Sequence, residues 1–220
     1  EMADYYADQT QFIIPDLRGH GCTPLGNADA SLEQLANDVI QLADSLGHQK
    51  FILAGHSLGG YIALALAAAH PERLAGLVTV TSHARADSPD KLESRFEQVR
   101  QAGLEGIKSM SDNLIERLMP EGESAQPDEH MCEVVSNSSA EGFANVQLAM
   151  AKRPDRLLML RSLSCPVLAI AGGKDRILPK EIAFEVAENA RQGRAVCLPE
   201  VGHLPMLEVP YTLGALLVSM

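Results

Sequence analysis

The chain has no tryptophan, and aromatic residues make up only 4% of its 220 positions. A site built to stack a polyaromatic ligand is therefore not expected. Basic residues are outnumbered, 18 Lys plus Arg against 29 Asp plus Glu, for a formal net charge of −11. With no basic cluster to neutralise phosphates and release their counterions, nucleic-acid binding is not expected. The four cysteines (Cys22, Cys132, Cys165 and Cys197) are scattered and form no C-x-x-C. They read as reduced thiols, three of them beside apolar residues or in strands, in a cytoplasmic protein. No apolar run reaches the roughly 20 residues needed to cross a bilayer, and no signal peptide is visible. The sequon Asn137-Ser138-Ser139 means little without secretion. What the chain does have is 46% hydrophobic residues, enough for one domain with a sizeable core.

The most informative stretch is Gly55-His56-Ser57-Leu58-Gly59-Gly60. Lys50 to Ala54 before it is a short apolar run that reads as a buried parallel strand. Tyr61 to Ala69 after it is apolar all round and closed by His70-Pro71, the pattern of a buried helix. A serine on such a hinge adopts a strained backbone, while Gly55 and Gly59 let neighbouring chain pass close. The turn presents the Ser57 hydroxyl at the carboxyl edge of the sheet, with the Leu58 backbone N–H facing the same space. Ser57 is thus the candidate nucleophile.

A nucleophilic serine needs a base, and the base needs a partner that fixes its tautomer. Of seven histidines, His56 adjoins the nucleophile and points away from it, and His48 and His70 end helices. His83 and His130 lie in the polar middle of the chain. His203, in Val201-Gly202-His203-Leu204-Pro205, follows the strand Ala195 to Leu198 and so lies on a carboxyl-edge loop. Asp175 closes Gly172-Gly173-Lys174-Asp175 behind the buried strand Pro166 to Ala171. The order Ser57, Asp175, His203 is that of an α/β-hydrolase, not of chymotrypsin-like or subtilisin-like enzymes. Asp87, shortly after the strand Leu74 to Val80, is the fallback acid.

The remaining segments organise around these three residues. Ser31 to Gln34 reads as a capping box, with Leu32, Leu35, Val39, Leu42 and Leu46 as the stripe of a helix ended by Gly47. From about His83 to Arg161 there is helical periodicity without strand-like runs. One helix is marked by Leu92, Phe96 and Val99, a second by Ile107, Met110, Leu114 and Leu118, and a third by Phe143, Gln147 and Met150. Glu121 to Glu129 reads as a solvated loop. An all-helical insertion between two carboxyl-edge strands is read as a lid that shapes the substrate pocket. Met110, Met119, Met131, Phe143 and Met150 are lining candidates, although ordinary packing accounts for most of them. Arg95, Arg100, Lys108, Arg117 and Lys152 are its cations, read as solvated, and none stands out.

The chain resembles the α/β-hydrolase superfamily from Gln11 to Met220. Besides the elbow, the resemblance lies in Phe12 to Gly21, in Gly172 to Asp175, and in Gly202 to Pro205 with Glu208-Val209-Pro210. The stretch from Ala86 to Pro89 through Ala151 to Asp155 is similar to small esterases near the 3-oxoadipate enol-lactonases. The resemblance implies a mostly parallel sheet flanked by helices. The core would comprise residues 1–82 and 162–220, with a helical lid over 83–161 inserted after the strand ending near Val80. It implies no cofactor or metal, a small ester or lactone as substrate, and a monomer or small homo-oligomer. Three readings stay open: a serine esterase or lactonase, perhydrolysis or C–C bond cleavage by the same residues, and a ligand-binding receptor without turnover. In the family a second oxyanion donor comes from a loop after a strand that lies, in the sheet, between the Phe12 and Phe51 strands. No such loop precedes Phe12, and His20-Gly21 follows the wrong strand. The second donor is therefore expected upstream of Glu1, in a strand and Gly-containing loop outside this chain.

Overall fold

The computed structural model describes residues 1–26, 31–107, 114–120 and 139–220. Among these residues, four parallel strands stand in the order β1-β2-β3-β4: β1 Phe51–His56, β2 Leu74–Val80, β3 Val167–Gly172 and β4 Gly193–Leu198. Every pairing is parallel, as crossover helices between apolar strands require. The helices in chain order are α1 Met2–Tyr5, α2 Leu32–Ser45, α3 Leu58–Ala69, α4 Pro89–Glu105, α5 Ala140–Ala151, α6 Glu181–Asn189, α7 Pro205–Glu208 and α8 Pro210–Val218. No described helix is long and apolar enough to cross a membrane.

Alternation along the strands divides the core into two layers. Leu77, Val167, Ala169 and Ala171 face α2, α3 and α6. Val78, Val80, Leu168 and Ile170 face the other way, towards Leu213 of α8 with Met2 and Met206 beside it. α1 is tied to α8 by a 2.8 Å hydrogen bond from the Tyr6 hydroxyl to the Tyr211 carbonyl. A Cβ at Gly214 would collide with the Tyr6 ring, so glycine is required where these two helices meet.

The five runs around the site fall in the four strands and α3 where periodicity put them, and three sequence expectations need correction. Phe12 to Ile14 lies outside the sheet, and β1 is an edge strand. An extended run becomes a strand only when a neighbour supplies a hydrogen-bonding ladder, and no described residue does so here. Instead, residues 13–18 and 23–26 and the Asp38, Val39 and Leu42 side of α2 border a cavity of about 610 Å³ that is lined by none of Ser57, Asp175 or His203. The buried face of α2 is Leu32, Leu35, Ala36, Ile40 and Ala43, whereas Leu46 is exposed. Ser31 does cap this helix, its hydroxyl accepting from the Gln34 N–H at 3.0 Å. The box is not reciprocal, because the Gln34 side chain donates to Asp38. Third, the glycine that admits the neighbouring chain at the elbow is Gly60, where a Cβ would strike the Ser82 side chain. Gly59 faces open space, while Gly55 does abut the Gly59 carbonyl as anticipated.

Between β2 and β3 the described residues contain α4, a helical turn at 114–118 and α5, and no strand. α4 packs on α5. Met110, Met131, Lys108, His130, Cys132, the 121–129 loop and positions 137 and 138 of the sequon lie outside the described residues. The loop at Gly19 touches α5, where a Cβ on Gly142 would press on the Gly19 carbonyl oxygen. At its other end the segment meets the carboxyl-edge loops: Pro120 abuts Gly202, and Arg176 donates to the Glu116 carbonyl at 2.9 Å.

Candidate active site

Ser57 follows β1 and caps α3 with φ 47° and ψ −109°, the left-handed backbone that a strand-to-helix elbow imposes on a non-glycine residue. Three contacts hold it there. Its N–H donates to the Val80 carbonyl at 2.9 Å, and its carbonyl accepts from the Gly60 N–H at 3.0 Å and the Ser82 hydroxyl at 2.8 Å. Leu58 opens α3 and is therefore one of the residues whose N–H has no acceptor within the helix.

His203 and Asp175 meet at the same edge of the sheet. The His203 Nδ1 lies 2.7 Å from Asp175 Oδ2, and both side chains are 2% exposed. A carboxylate accepts only, so Nδ1 carries the proton and Nε2 is left as the basic nitrogen. The other carboxylate oxygen is committed to the Ile177 and Leu178 N–H groups, at 2.7 and 3.1 Å, which fixes the rotamer of Asp175. The His203 loop is bound by Glu208, which accepts from the Gly202 N–H at 2.7 Å and the Leu204 N–H at 3.0 Å. Glu208 belongs to the stretch that carried the resemblance, but its part in holding the loop was not anticipated. Glu208→Gln replaces one acceptor oxygen by an N–H donor facing a backbone N–H. It should cost about 1.5–3 kcal/mol of stability, as for a hydrogen bond to a charged group, and lower kcat; urea unfolding with ester turnover checks both.

Ser57 and His203 are joined through His56, the last residue of β1. His56 Nε2 stands 2.7 Å from the His203 carbonyl oxygen, and the two rings pack edge to face at 5.0 Å. The structure therefore brings Ser57, Asp175 and His203 to one edge.

Asp87 is elsewhere. It is paired with Arg95 of α4 and, at 2.7 Å, with Arg153, and all three side chains are buried. Burial opposes its ionisation, but the hydrogen bonds from Arg95 and Arg153 outweigh that and hold the carboxyl below the usual range. Arg95 also donates to Gln147 of α5 at 2.7 Å, and the Arg153 guanidinium lies 4.0 Å from the Tyr61 ring centroid. So Arg95 is not solvated as its helical setting suggested, and Arg153 was missed. A charge on an otherwise polar helix gives no sign in sequence that it turns inwards, and Arg153 lies 66 residues from the carboxylate it pairs with.

Two histidines near the site stay neutral far below the ordinary imidazole range. His56 is pushed down to about 4, first by burial and then by the nearby His203. His83 is likewise pushed down to about 4, by burial and then by Arg153. The Arg85 N–H donates to His83 Nδ1 at 3.2 Å, so the single ring proton of the neutral imidazole sits on Nε2, 3.3 Å from the Arg153 guanidinium, and a second proton would have to displace the Arg85 donor. Between pH 6.5 and 4 the unfolded chain binds protons that the folded one refuses. Stability therefore falls as the pH drops through that window, by up to about 1.4 kcal/mol per pH unit for each histidine. Urea midpoints at pH 7 and 5 should show the fall, and His56→Gln should reduce it; an unchanged slope counts against a buried neutral His56.

Among the described residues no group of three or more His, Cys, Asp or Glu side chains is arranged to hold a metal ion. The comparisons with known proteins give this geometry a family. The profile described as "Alpha/beta hydrolase family" matches residues 1–213. The chain belongs to that family. It is 34% identical to a thermophilic esterase from Thermogutta terrifontis, with a TM-score of 0.93, covering 99% of this chain and 82% of that one. The enol-lactonase from Burkholderia xenovorans LB400 superposes with a TM-score of 0.82 at 26% identity, covering 93% and 78%. Among curated proteins it is 30% identical over 210 residues to the dihydrolipoyllysine-residue acetyltransferase component of the acetoin cleaving system of Pseudomonas putida. That match covers 92% of this chain and 54% of the relative, so the chain spans about half the length of such relatives.

Proposed function

We propose that the chain is a carboxylesterase-type serine hydrolase, cleaving esters or lactones of small, largely apolar acids through an acyl-enzyme. The observation that carries this reading is the 2.7 Å His203–Asp175 hydrogen bond at the sheet edge where Ser57 sits on its strained elbow. Ser57 Oγ attacks the substrate carbonyl, and His203 Nε2 takes its proton and returns it to the leaving alkoxide. Asp175 holds the imidazole and stabilises its cationic form. The Leu58 N–H, at the positive end of α3, stabilises the oxyanion. Water then attacks the acyl-enzyme by the same proton path in reverse.

The segment 83–161 acts as a lid over this site, supported by its contacts at Gly19, Gly202 and Arg176. The free thiols of Cys22, Cys165 and Cys197 fit a reducing, cytoplasmic compartment. Likeness to the esterase and the enol-lactonase supports the ester or lactone substrate. The test is the release of nitrophenolate from p-nitrophenyl butyrate. Linear turnover with stoichiometric phosphonate labelling of Ser57 is the expected result. One equivalent released per chain and then none would mark a receptor, and peracid formation exceeding ester turnover would mark a perhydrolase.

A further inference from the structure

The structure assigns His56 and Thr81 a role as positioning residues that hold the main-chain carbonyl of His203 and so fix where its imidazole stands relative to Ser57. This inference rests on the proposal that His203 is the base.

The His203 carbonyl receives two side-chain donors, one from the end of β1 and one from the residue that follows β2. A carbonyl only accepts, so His56 Nε2 carries its ring proton and donates at 2.7 Å. The Thr81 hydroxyl donates to the same oxygen at 3.2 Å. One partner would satisfy a buried carbonyl. A second, from the end of another strand, fixes its direction as well.

The two donors sit where their bonds constrain the reacting groups most directly. His56 is joined to Ser57 by a single peptide bond, so its hydrogen bond ties the nucleophile's elbow to the base's loop. Thr81 follows β2 with φ 42°, a conformation rare for a β-branched residue, and it is 1% exposed. Its N–H is held by the Ile170 carbonyl at 2.7 Å, and the next residue, Ser82, donates to the Ser57 carbonyl. Residues 81 and 82 therefore hold the base's loop with one hydroxyl and the nucleophile's elbow with the next. Backbone strain kept at such a point fits a geometric demand of the site.

His56→Phe keeps the ring volume and removes the donor, whereas His56→Gln keeps a donor at similar reach. Thr81→Val and Thr81→Ser make the same pair at the second position. Turnover of p-nitrophenyl butyrate is measured per active site, counted by phosphonate labelling taken to completion. His56→Phe should lower kcat on the order of 10², as for a misplaced catalytic group, with KM unchanged. Thr81→Val should lower it on the order of tenfold, as for one neutral hydrogen bond. Gln and Ser should recover most of each loss. A merely structural contact would instead lower the thermal midpoint or the number of labelled sites, leaving kcat per site at the wild-type value. That result in both His56→Phe and Thr81→Val overturns the inference while leaving the hydrolase reading intact. If His56→Phe does not fold, the near-isosteric Thr81→Val decides alone. Turnover that survives Ser57→Ala instead removes Ser57 as the nucleophile, and with it the Ser57–His203 mechanism on which this inference rests.

Discussion

Ser57→Ala should lower kcat on the order of 10⁶, the size of loss that follows when a nucleophile acting as one unit with its base is removed. Folding should hardly register the change. The contacts that fix the elbow are made by the Ser57 main chain, through the Val80 carbonyl, the Gly60 N–H and the Ser82 hydroxyl, and all survive in alanine. Ser57→Gly separates strain from chemistry. At φ 47° every residue with a Cβ is disfavoured, so the glycine variant should be about 1 kcal/mol more stable than the alanine variant and equally inactive. Thermal unfolding of the three proteins beside ester turnover measures both effects. Retained hydrolysis in Ser57→Ala would move the nucleophile elsewhere, and an alanine variant as stable as the glycine one would mean that the elbow holds no strain.

How far this site could be read from the sequence depends on the range of the interactions. Ser57 was legible because the elbow is local: a strand, a serine between glycines and a helix sit within about twenty residues, and their periodicities announce the turn. Asp175 and His203 were legible one step further out, since each stands just past an apolar run that can only be a strand, and parallel strands deliver such loops to one edge. β2 matched its expected bounds because six of its seven apolar or small residues are buried, on both faces. The Phe12 run has the same composition and no ladder, which composition cannot reveal.

What stayed hidden was long-range and polar. Glu208 holding the His203 loop, Thr81 and His56 on its carbonyl, and the Asp87–Arg95–Arg153 cluster join side chains to groups whose distance in space the sequence does not encode. His83 read as a residue of a polar stretch, yet it is enclosed by Tyr61 and Arg153. Gly60 rather than Gly59 as the point of close approach is a matter of which side of α3 meets Ser82, and one residue of helix turns that side by about 100°.

Asp175→Asn should cost about 10⁴ in kcat with little loss of stability, by analogy with the acid of the serine protease triad. The local geometry explains why so conservative a change is so damaging. Oδ1 of Asp175 is claimed by the Ile177 and Leu178 N–H groups. The amide oxygen of an asparagine would be drawn to those donors, turning its NH₂ towards His203 Nδ1. That nitrogen must then offer a lone pair, the proton moves to Nε2, and the imidazole can no longer take a proton from Ser57. Asp87→Asn should do the reverse. It leaves two buried guanidinium groups facing an amide, which should cost about 3–5 kcal/mol of stability, as when one partner of a buried ion pair is removed. Its kcat per folded molecule should change far less than that of Asp175→Asn, because Asp87 is held by Arg95 and Arg153 and His203 by Asp175. Measuring kcat and the urea midpoint for both variants crosses the two effects. A near-normal rate in Asp175→Asn together with collapse of the rate in Asp87→Asn would transfer the acid's role to Asp87.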